Sequence, residues 1–205
     1  MPITLYNDAA LHEAGHCIIA YLNSEFFNTE FVTIDNTLSK FHDSNSIGGL
    51  KGRLKKDGET LTFAEYDQMA LLTLAGMAAD DVNHCNCQLS EKLYDNSVFA
   101  EKMNSNKYSG DVMLLGPLLQ RIVPQLKVPQ RAYTMSCQKL LHEILIEPEI
   151  TCTMVTLRNA LTNSNKKTLT GDEIFFILDD SPLKKLKEIR WKEIIEGRTA
   201  FYKLV

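Results

Sequence analysis

Residues 11–17 read LHEAGHC and lie in the first stretch of the chain that has a clear helical pattern. Apolar or small residues recur through this stretch every three or four positions, which is the spacing of one helix face. Asn7 or Asp8 can cap the first free backbone amides. We therefore predict an amphipathic helix over residues 8–22.

Three residues of this helix form the pattern HExxH. His12 and His16 are four positions apart, so both imidazoles leave the same helix face and can bind one metal ion. Glu13 is placed to act as a general base beside the metal rather than to bind it. Three fixed letters also match by accident, so the rest of the chain has to separate a metal centre from an ordinary helix.

Composition and net charge argue against nucleic-acid-binding and membrane-spanning proteins. A chain of 205 residues forms one domain, or one domain with a helical extension. The net charge is −4 and the lysines and arginines are scattered, so we expect no nucleic-acid partner. No apolar run approaches the length of a membrane span, and the N-terminus is unlike a signal peptide. Together with five cysteines, an odd number typical of reduced thiols, this predicts a cytoplasmic protein without a membrane partner.

The middle of the chain predicts a small sheet and a long helix. TEFVTIDN (29–36) and IGGLKGRL (47–54) predict two or three short strands, and no phosphate-binding loop motif occurs. Residues 62–83 predict a helix that opens with a capping box of Thr62 and Glu65. Small residues on it would let a second helix approach closely: Ala70, Ala75, Gly76, Ala78 and Ala79.

The remainder of the chain reads as helical. Ser109 is a candidate N-cap for the helix DVMLLGPLLQRIV (111–123), in which Pro117 should cause a kink or a restart. Further helices are predicted over 129–146, over 148–163, after a cap formed by Thr170 and Glu173, and over 182–197 with Ser181 as the cap. The predicted fold class is mainly α with a small β-sheet near the N-terminus.

Several of these segments resemble one known family. HEAGHCIIAYL (12–22), FVTIDN (31–36), LAGMAADD (74–81) and SGDVMLL (109–115) are similar, in this order, to segments of the protease domain of FtsH-type ATP-dependent zinc metallopeptidases. Residues 140–178 look like the helical tail of that domain. The resemblance implies an FtsH protease-like helical fold over residues 1–180, with residues 181–205 as a C-terminal helical extension.

The resemblance also implies a ligand set. It makes His12 and His16 ligands of Zn²⁺, Glu13 the catalytic base and Asp111 the third protein ligand. Three protein ligands are the usual number in a catalytic zinc site and leave a position for water. Asp80 and Asp81 occupy the place of the family's paired glutamates and are the alternative, either as ligands or as partners that orient a ligand imidazole. LAGM in place of LGGR, and the residues after Asp111, depart from the family pattern.

The expected activity is hydrolysis of peptide bonds in peptides or unstructured polypeptides. These residues contain no counterpart of the family's membrane anchor and ATPase, so we expect ATP-independent cleavage or a separate ATPase partner, and a homo-oligomer stays open. An extended substrate could add as a strand beside residues 30–35. Two alternatives remain: a non-catalytic FtsH-like binding or regulatory module, and a metalloenzyme that acts on something other than peptides.

Other clusters carry weaker signals. His84, Cys85 and Cys87 could bind a soft metal, but their spacing favours a helix end with partly buried thiols. His142 and Glu143 begin a second HE pair that Ile146 breaks, and His42 is expected in an exposed loop. The C-terminal segment predicts an amphipathic helix packed on the domain, with an oligomer contact or a partner-docking helix as the alternatives.

Overall fold

The computed structural model describes residues 3–35, 48–55, 61–85 and 91–203. Over these ranges the chain is mainly α with a small antiparallel sheet near the N-terminus, so the predicted fold class is confirmed. The helices are α1 Ile3–Leu22, α2 Phe63–His84, α3 Asn96–Met103, α4 Ser109–Ile122, α5 Gln130–Leu145, α6 Pro148–Asn163, α7 Gly171–Asp179, α8 Leu183–Lys185 and α9 Lys192–Tyr202. The strands are β1 Phe27–Thr33, β2 Gly49–Leu54 and β3 Thr168–Thr170.

Helix α1 begins earlier than its sequence pattern predicts. It begins at Ile3, so the prediction that Asn7 or Asp8 caps its first turn is wrong. Residues 3–7 contain neither glycine nor proline, and the hydrogen-bond ladder can therefore extend through them. The apolar face of α1 is buried as predicted, with Ile18 and Ile19 fully inaccessible to solvent.

Helix α2 lies at the centre of the molecule and contacts α1, α4, α5 and α9. Its predicted capping box is confirmed: Thr62 Oγ1 accepts a hydrogen bond from the Glu65 amide, and the Glu65 carboxylate accepts one from the Thr62 amide. The predicted close approach of a second helix is also present. A Cβ atom at Gly15 of α1 would lie 2.6 Å from the carbonyl oxygen of Ala75 and 2.7 Å from the Cβ of Ala79.

The sheet has the order β2-β1-β3, and both pairings are antiparallel. Phe31, Val32 and Thr33 pair with β2 on one side and with β3 on the other. The expectation that a substrate adds beside residues 30–35 is therefore wrong, because β1 is the central strand. Strand β3 comes about 135 positions later in the chain, and such a distant pairing leaves no local signal in the sequence.

Helix α4 differs from its prediction at its start, and it does not restart at its proline. Ser109 is its first residue rather than its N-cap, and Tyr108 occupies the cap position. The hydroxyl cap lies further upstream, where Ser105 accepts a hydrogen bond from the Lys107 amide. The helix also continues through Pro117. Pro117 and Met113 both lie on the exposed face, so water can satisfy the carbonyl group that loses its donor.

Helices α5 and α6 lie within one or two residues of their predicted bounds, and α7 begins after the predicted capping box of Thr170 and Glu173. The single helix predicted over 182–197 consists instead of α8, a π-helical segment Leu186–Trp191 and α9. Its predicted packing on the domain is observed. The Trp191 indole donates a hydrogen bond to Asn23 Oδ1 at 3.1 Å. The division of the chain at residue 180 stays a prediction.

Arg198 attaches α9 to the central helix. It makes two hydrogen bonds to the carboxylate of Asp67, at 2.7 and 2.8 Å, and Asp67 also accepts one from the Tyr133 hydroxyl. Asp67 is fully buried. Among the helices formed by the described residues, none has both the length and the apolar composition needed to cross a bilayer.

We expect Arg198→Met to lower the free energy of unfolding by about 3–5 kcal/mol, because it leaves the Asp67 carboxylate buried without its cation. Lys192→Met is the matched control, since Lys192 pairs with Glu196 on the exposed face of the same helix at 3.9 Å. Its loss should cost about 1 kcal/mol or less. Urea unfolding of both variants measures the difference. Equal losses of unfolding free energy would show that the Arg198–Asp67 pair does not attach α9 to α2.

Candidate metal centre

The three predicted ligand residues converge on one point. His12 and His16 come from α1, and Asp111 comes from the first turn of α4. The two Nε2 atoms lie 3.2 Å apart. Asp111 places Oδ2 3.2 Å from His12 Nε2 and Oδ1 3.4 Å from His16 Nε2. One ligand atom from each residue therefore lies within 4.8 Å of the other two, although almost a hundred residues separate Asp111 from the histidines.

The outer nitrogens of the two imidazoles determine which way the rings point. His16 Nδ1 lies 2.8 Å from the Leu72 carbonyl oxygen, which can only accept, so Nδ1 carries the proton. His12 Nδ1 lies 3.1 Å from Asp80 Oδ2 in the same way. In the neutral rings both Nε2 atoms then carry lone pairs, and these face each other. A cation between them removes that repulsion, and the donor set therefore fits a metal ion.

The charge balance of the site also favours a cation. Glu13, Asp80 and Asp111 surround the two imidazoles, and within the described residues Lys107 is the lysine or arginine paired with this group. Burial lowers the pKa of His12, but Asp111 and Asp80 raise that pKa more. Burial raises the pKa of Asp111, but the two histidines lower it well below its ordinary value. Asp111 Oδ2 is buried and makes no hydrogen bond.

Glu13 lies beside the ligand group in a buried position. Its Oε2 atom makes no hydrogen bond to the described residues. Burial raises the pKa of Glu13, and His16 and His12 lower that pKa by less, so the net change is upward. A carboxylate whose pKa is raised toward neutrality can accept a proton and release it again in one catalytic cycle. The role of general base stays a prediction, and a buried carboxylate beside the ligand group is the placement that this role requires.

Two glycines make room for these side chains. A Cβ atom at Gly76 would lie 2.3 Å from His12 Nε2 and 2.5 Å from His16 Nε2. A Cβ atom at Gly48 would lie 2.6 Å from Glu13 Oε1. The sequence assigned Gly76 only to helix packing. A glycine inside an otherwise good helix was the available signal at position 76.

The site opens into a cleft of about 450 Å³. Strand β2 forms one wall through Gly49–Gly52, and Leu114 of α4 lies on another. Apolar side chains such as Phe27 and Leu72 line much of the cleft, and the candidate ligands are grouped with Glu13. This is the usual character of a binding site, with apolar walls and a few placed polar groups.

The alternative candidates lie elsewhere. Asp80 contacts the outer nitrogen of His12, which is the orienting position, and Asp81 points away to His142 and Gln138. His142 is fully buried and its Nδ1 lies 3.0 Å from the Tyr94 hydroxyl oxygen. His84 Nδ1 lies 2.6 Å from the Asp80 carbonyl oxygen. Cys85 is partly buried, whereas Cys87 and His42 lie outside the described residues.

No family model and no curated protein matches this chain. Its own geometry therefore carries the functional assignment. That geometry offers two imidazoles and a carboxylate for one ion, a buried carboxylate beside them and a cleft that reaches all four groups. Lys107 and Tyr108 also line this cleft, and no sequence pattern had singled them out.

We expect Gly76→Ala to weaken the binding of a divalent metal at least about tenfold, because the new methyl group displaces both imidazoles. Gly116→Ala on α4 is the control, since a Cβ atom there meets nothing within 4 Å. Isothermal titration with zinc measures both affinities, and circular dichroism establishes that each variant is folded. Equal zinc affinities in Gly76→Ala and Gly116→Ala would show that the imidazoles do not pack against Gly76 of α2.

Proposed function

We propose that this chain is a zinc metallopeptidase that hydrolyses peptide bonds in peptides or unstructured polypeptides without ATP. The observation that carries the proposal is the convergence of His12, His16 and Asp111 beside the buried carboxylate of Glu13. The resemblance of HEAGH and SGD to the protease domain of FtsH-type metallopeptidases supports the same assignment of roles.

Zn²⁺ is the ion that this donor set favours. Two imidazoles and one carboxylate are the protein ligands of many catalytic zinc sites, in which a further position stays open. When bound, zinc supplies Lewis acidity, which lowers the pKa of a water molecule and polarises a substrate carbonyl group. Asp80 and the Leu72 carbonyl oxygen hold the outer nitrogens, so the histidines present Nε2 without rearrangement.

Glu13 would move the proton. In the proposed reaction its carboxylate takes a proton from the attacking water and later gives it to the amine nitrogen that leaves. The absence of a hydrogen bond at Oε2 keeps this atom available. A glycine at position 48 leaves room for the carboxylate at the wall of the cleft.

Strand β2 replaces β1 as the proposed docking edge. It pairs with β1 on one side and with no strand among the described residues on the other, and it lines the cleft. A peptide that adds beside β2 would gain backbone hydrogen bonds with little sequence preference. A cleft of about 450 Å³ accommodates an extended segment rather than a folded domain, so a separate ATPase or prior unfolding would have to supply that segment.

A cytoplasmic location is part of the same proposal. Cys17, Cys85, Cys137 and Cys152 are free thiols, as expected in a reducing compartment. Assembly into a homo-oligomer likewise stays a proposal.

Asp111→Ala should abolish zinc binding, because two imidazoles alone form an incomplete site. Elemental mass spectrometry on protein purified without added zinc provides the measurement, with Asp180→Ala as an exposed control. We expect about one zinc per chain in the wild type and in the control, and none in Asp111→Ala. A wild type that stays empty when zinc is supplied would leave the non-catalytic module as the better description.

Glu13→Gln should retain zinc and lower the rate of peptide cleavage by about 10²–10⁴-fold, because glutamine has the same shape but cannot accept the proton. Glu143→Gln is the matched control: it follows His142 in the incomplete second HE pair and is exposed. A quenched-fluorescence library of unstructured peptides reports the cleavage. Full activity in Glu13→Gln would exclude the proposed base.

A further inference from the structure

Two neighbouring aspartates of α2 each join a lysine to a histidine. Asp80 Oδ2 lies 3.1 Å from His12 Nδ1 and 2.9 Å from Lys107 Nζ. Asp81 contacts His142 Nε2 at 3.1 Å and also pairs with Lys102. One lysine–aspartate–histidine chain therefore ends on a candidate metal ligand. The other ends on the buried His142 of α5, which is not one of the candidate metal ligands.

We propose that Lys107 is a positioning residue for the metal ligand His12. Its ammonium group holds the Asp80 carboxylate against His12 Nδ1, and this contact directs Nε2 toward Asp111 and His16. The inference rests on the proposed zinc site. It assigns a role to a lysine that takes no part in the ligand set or in proton transfer.

Asp80 needs this lysine because of its surroundings. The residue is 1% exposed, and its Oδ1 atom makes no hydrogen bond. His12 Nδ1 and Lys107 Nζ both contact Oδ2. A buried carboxylate is stable only with a cation or with several donors, and Lys107 supplies the cation. Without it, Asp80 keeps the His12 ring and the Tyr108 hydroxyl as neutral donors and loses the cation that offsets its buried charge.

Lys107 also contacts His12 indirectly through the aromatic ring of Tyr108. The Tyr108 ring lies nearly parallel to the His12 ring, at 17° with 6.1 Å between the centroids. Lys107 Nζ lies 5.1 Å from the centre of the Tyr108 ring, which is within the range of a cation–π contact. The lysine therefore contacts both groups that flank His12: the Asp80 carboxylate, which accepts the hydrogen bond from Nδ1, and the Tyr108 ring, which lies over its face.

The position of Lys107 in the chain links this contact to the third ligand. Lys107 lies in the 3-10 turn Asn106–Tyr108, which leads directly into α4 and Asp111. The ion pair with Asp80 therefore attaches to α2 the segment that carries Asp111. One contact orients the first ligand and anchors the approach of the third.

The removal of Lys107 should change zinc affinity in opposite directions, depending on whether charge repulsion or ligand positioning dominates. Lys107 is a cation near a cation site, so its loss would strengthen zinc binding if repulsion dominated. A positioning role predicts weaker binding, by about 10- to 100-fold for the loss of a group that orients a ligand. The sign of the change therefore separates the two effects.

The first test compares zinc affinities, measured by competition with a chromophoric chelator. Lys107→Met and Lys107→Gln should both weaken binding by about tenfold or more, and Lys107→Arg should regain most of the loss. Lys102→Met is the matched control, because it breaks the parallel chain on Asp81 and should lower stability while leaving the zinc affinity of the folded protein unchanged. Unchanged or tighter zinc binding in Lys107→Met and Lys107→Gln would overturn the proposal.

The second test needs no metal. The ¹⁵N chemical shifts of His12 in the metal-free protein, at a pH where the imidazoles are neutral, report which ring nitrogen carries the proton. We expect Nδ1–H in the wild type and in Lys102→Met, and a mixture of tautomers in Lys107→Met. The same tautomer in Lys107→Met as in the wild type would overturn the positioning role. A wild type that binds no zinc would instead reject the proposed function, while the tautomer comparison would still decide the role of Lys107.

Discussion

The close contact between α1 and α2 is the constraint on which the rest of the site depends. Gly15 lets the backbone of α1 approach Ala75 and Ala79, and Gly76 leaves the space that the two imidazoles fill. At a larger separation the Leu72 carbonyl oxygen could not accept from His16, and Asp80 could not reach His12. The distance between α1 and α2 therefore determines both the packing of the two helices and the hydrogen bonds that orient the imidazoles.

The buried charged groups on and around α2 fall into two sets: ion pairs that join helices, and the candidate metal site. Asp67 is compensated by Arg198 and the Tyr133 hydroxyl, and Asp81 by Lys102 and His142. Each of these pairs attaches another helix to α2. The group around His12 differs. The Nε2 atoms of His12 and His16 and a carboxylate oxygen of Asp111 meet there as acceptors, while the Nδ1–H groups of both imidazoles donate to Asp80 and to the Leu72 carbonyl oxygen. A protein interior does not favour such a convergence without a cation, and this separates the candidate site from the structural pairs.

The cleft brings together segments that lie far apart in sequence. Helix α1 gives His12, Glu13 and His16, the turn before α4 gives Lys107 and Tyr108, and β2 forms the opposite wall. Strand β3 occupies the outer edge of β1, so within the described part of the chain β2 is the edge strand that lines the cleft and the one proposed to meet an extended partner. The proposed binding edge thus follows from a pairing that no short stretch of sequence reveals.

Local rules were enough to determine much of this protein from the sequence. Helical spacing and capping boxes predicted the bounds of α2, α5 and α6 nearly to the residue, and the start of α7, because those signals act within one or two turns. The spacing of His12 and His16 placed both on one face for the same reason. The family resemblance named Asp111 as the partner of these histidines, and the tertiary structure brings it to them. Only the tertiary structure decided that Asp80 rather than Asp81 supports them, that β1 is central and that Lys107 reaches Asp80. Each of those facts depends on the distance between elements far apart in the chain, and such distances arise from packing, which no local pattern records.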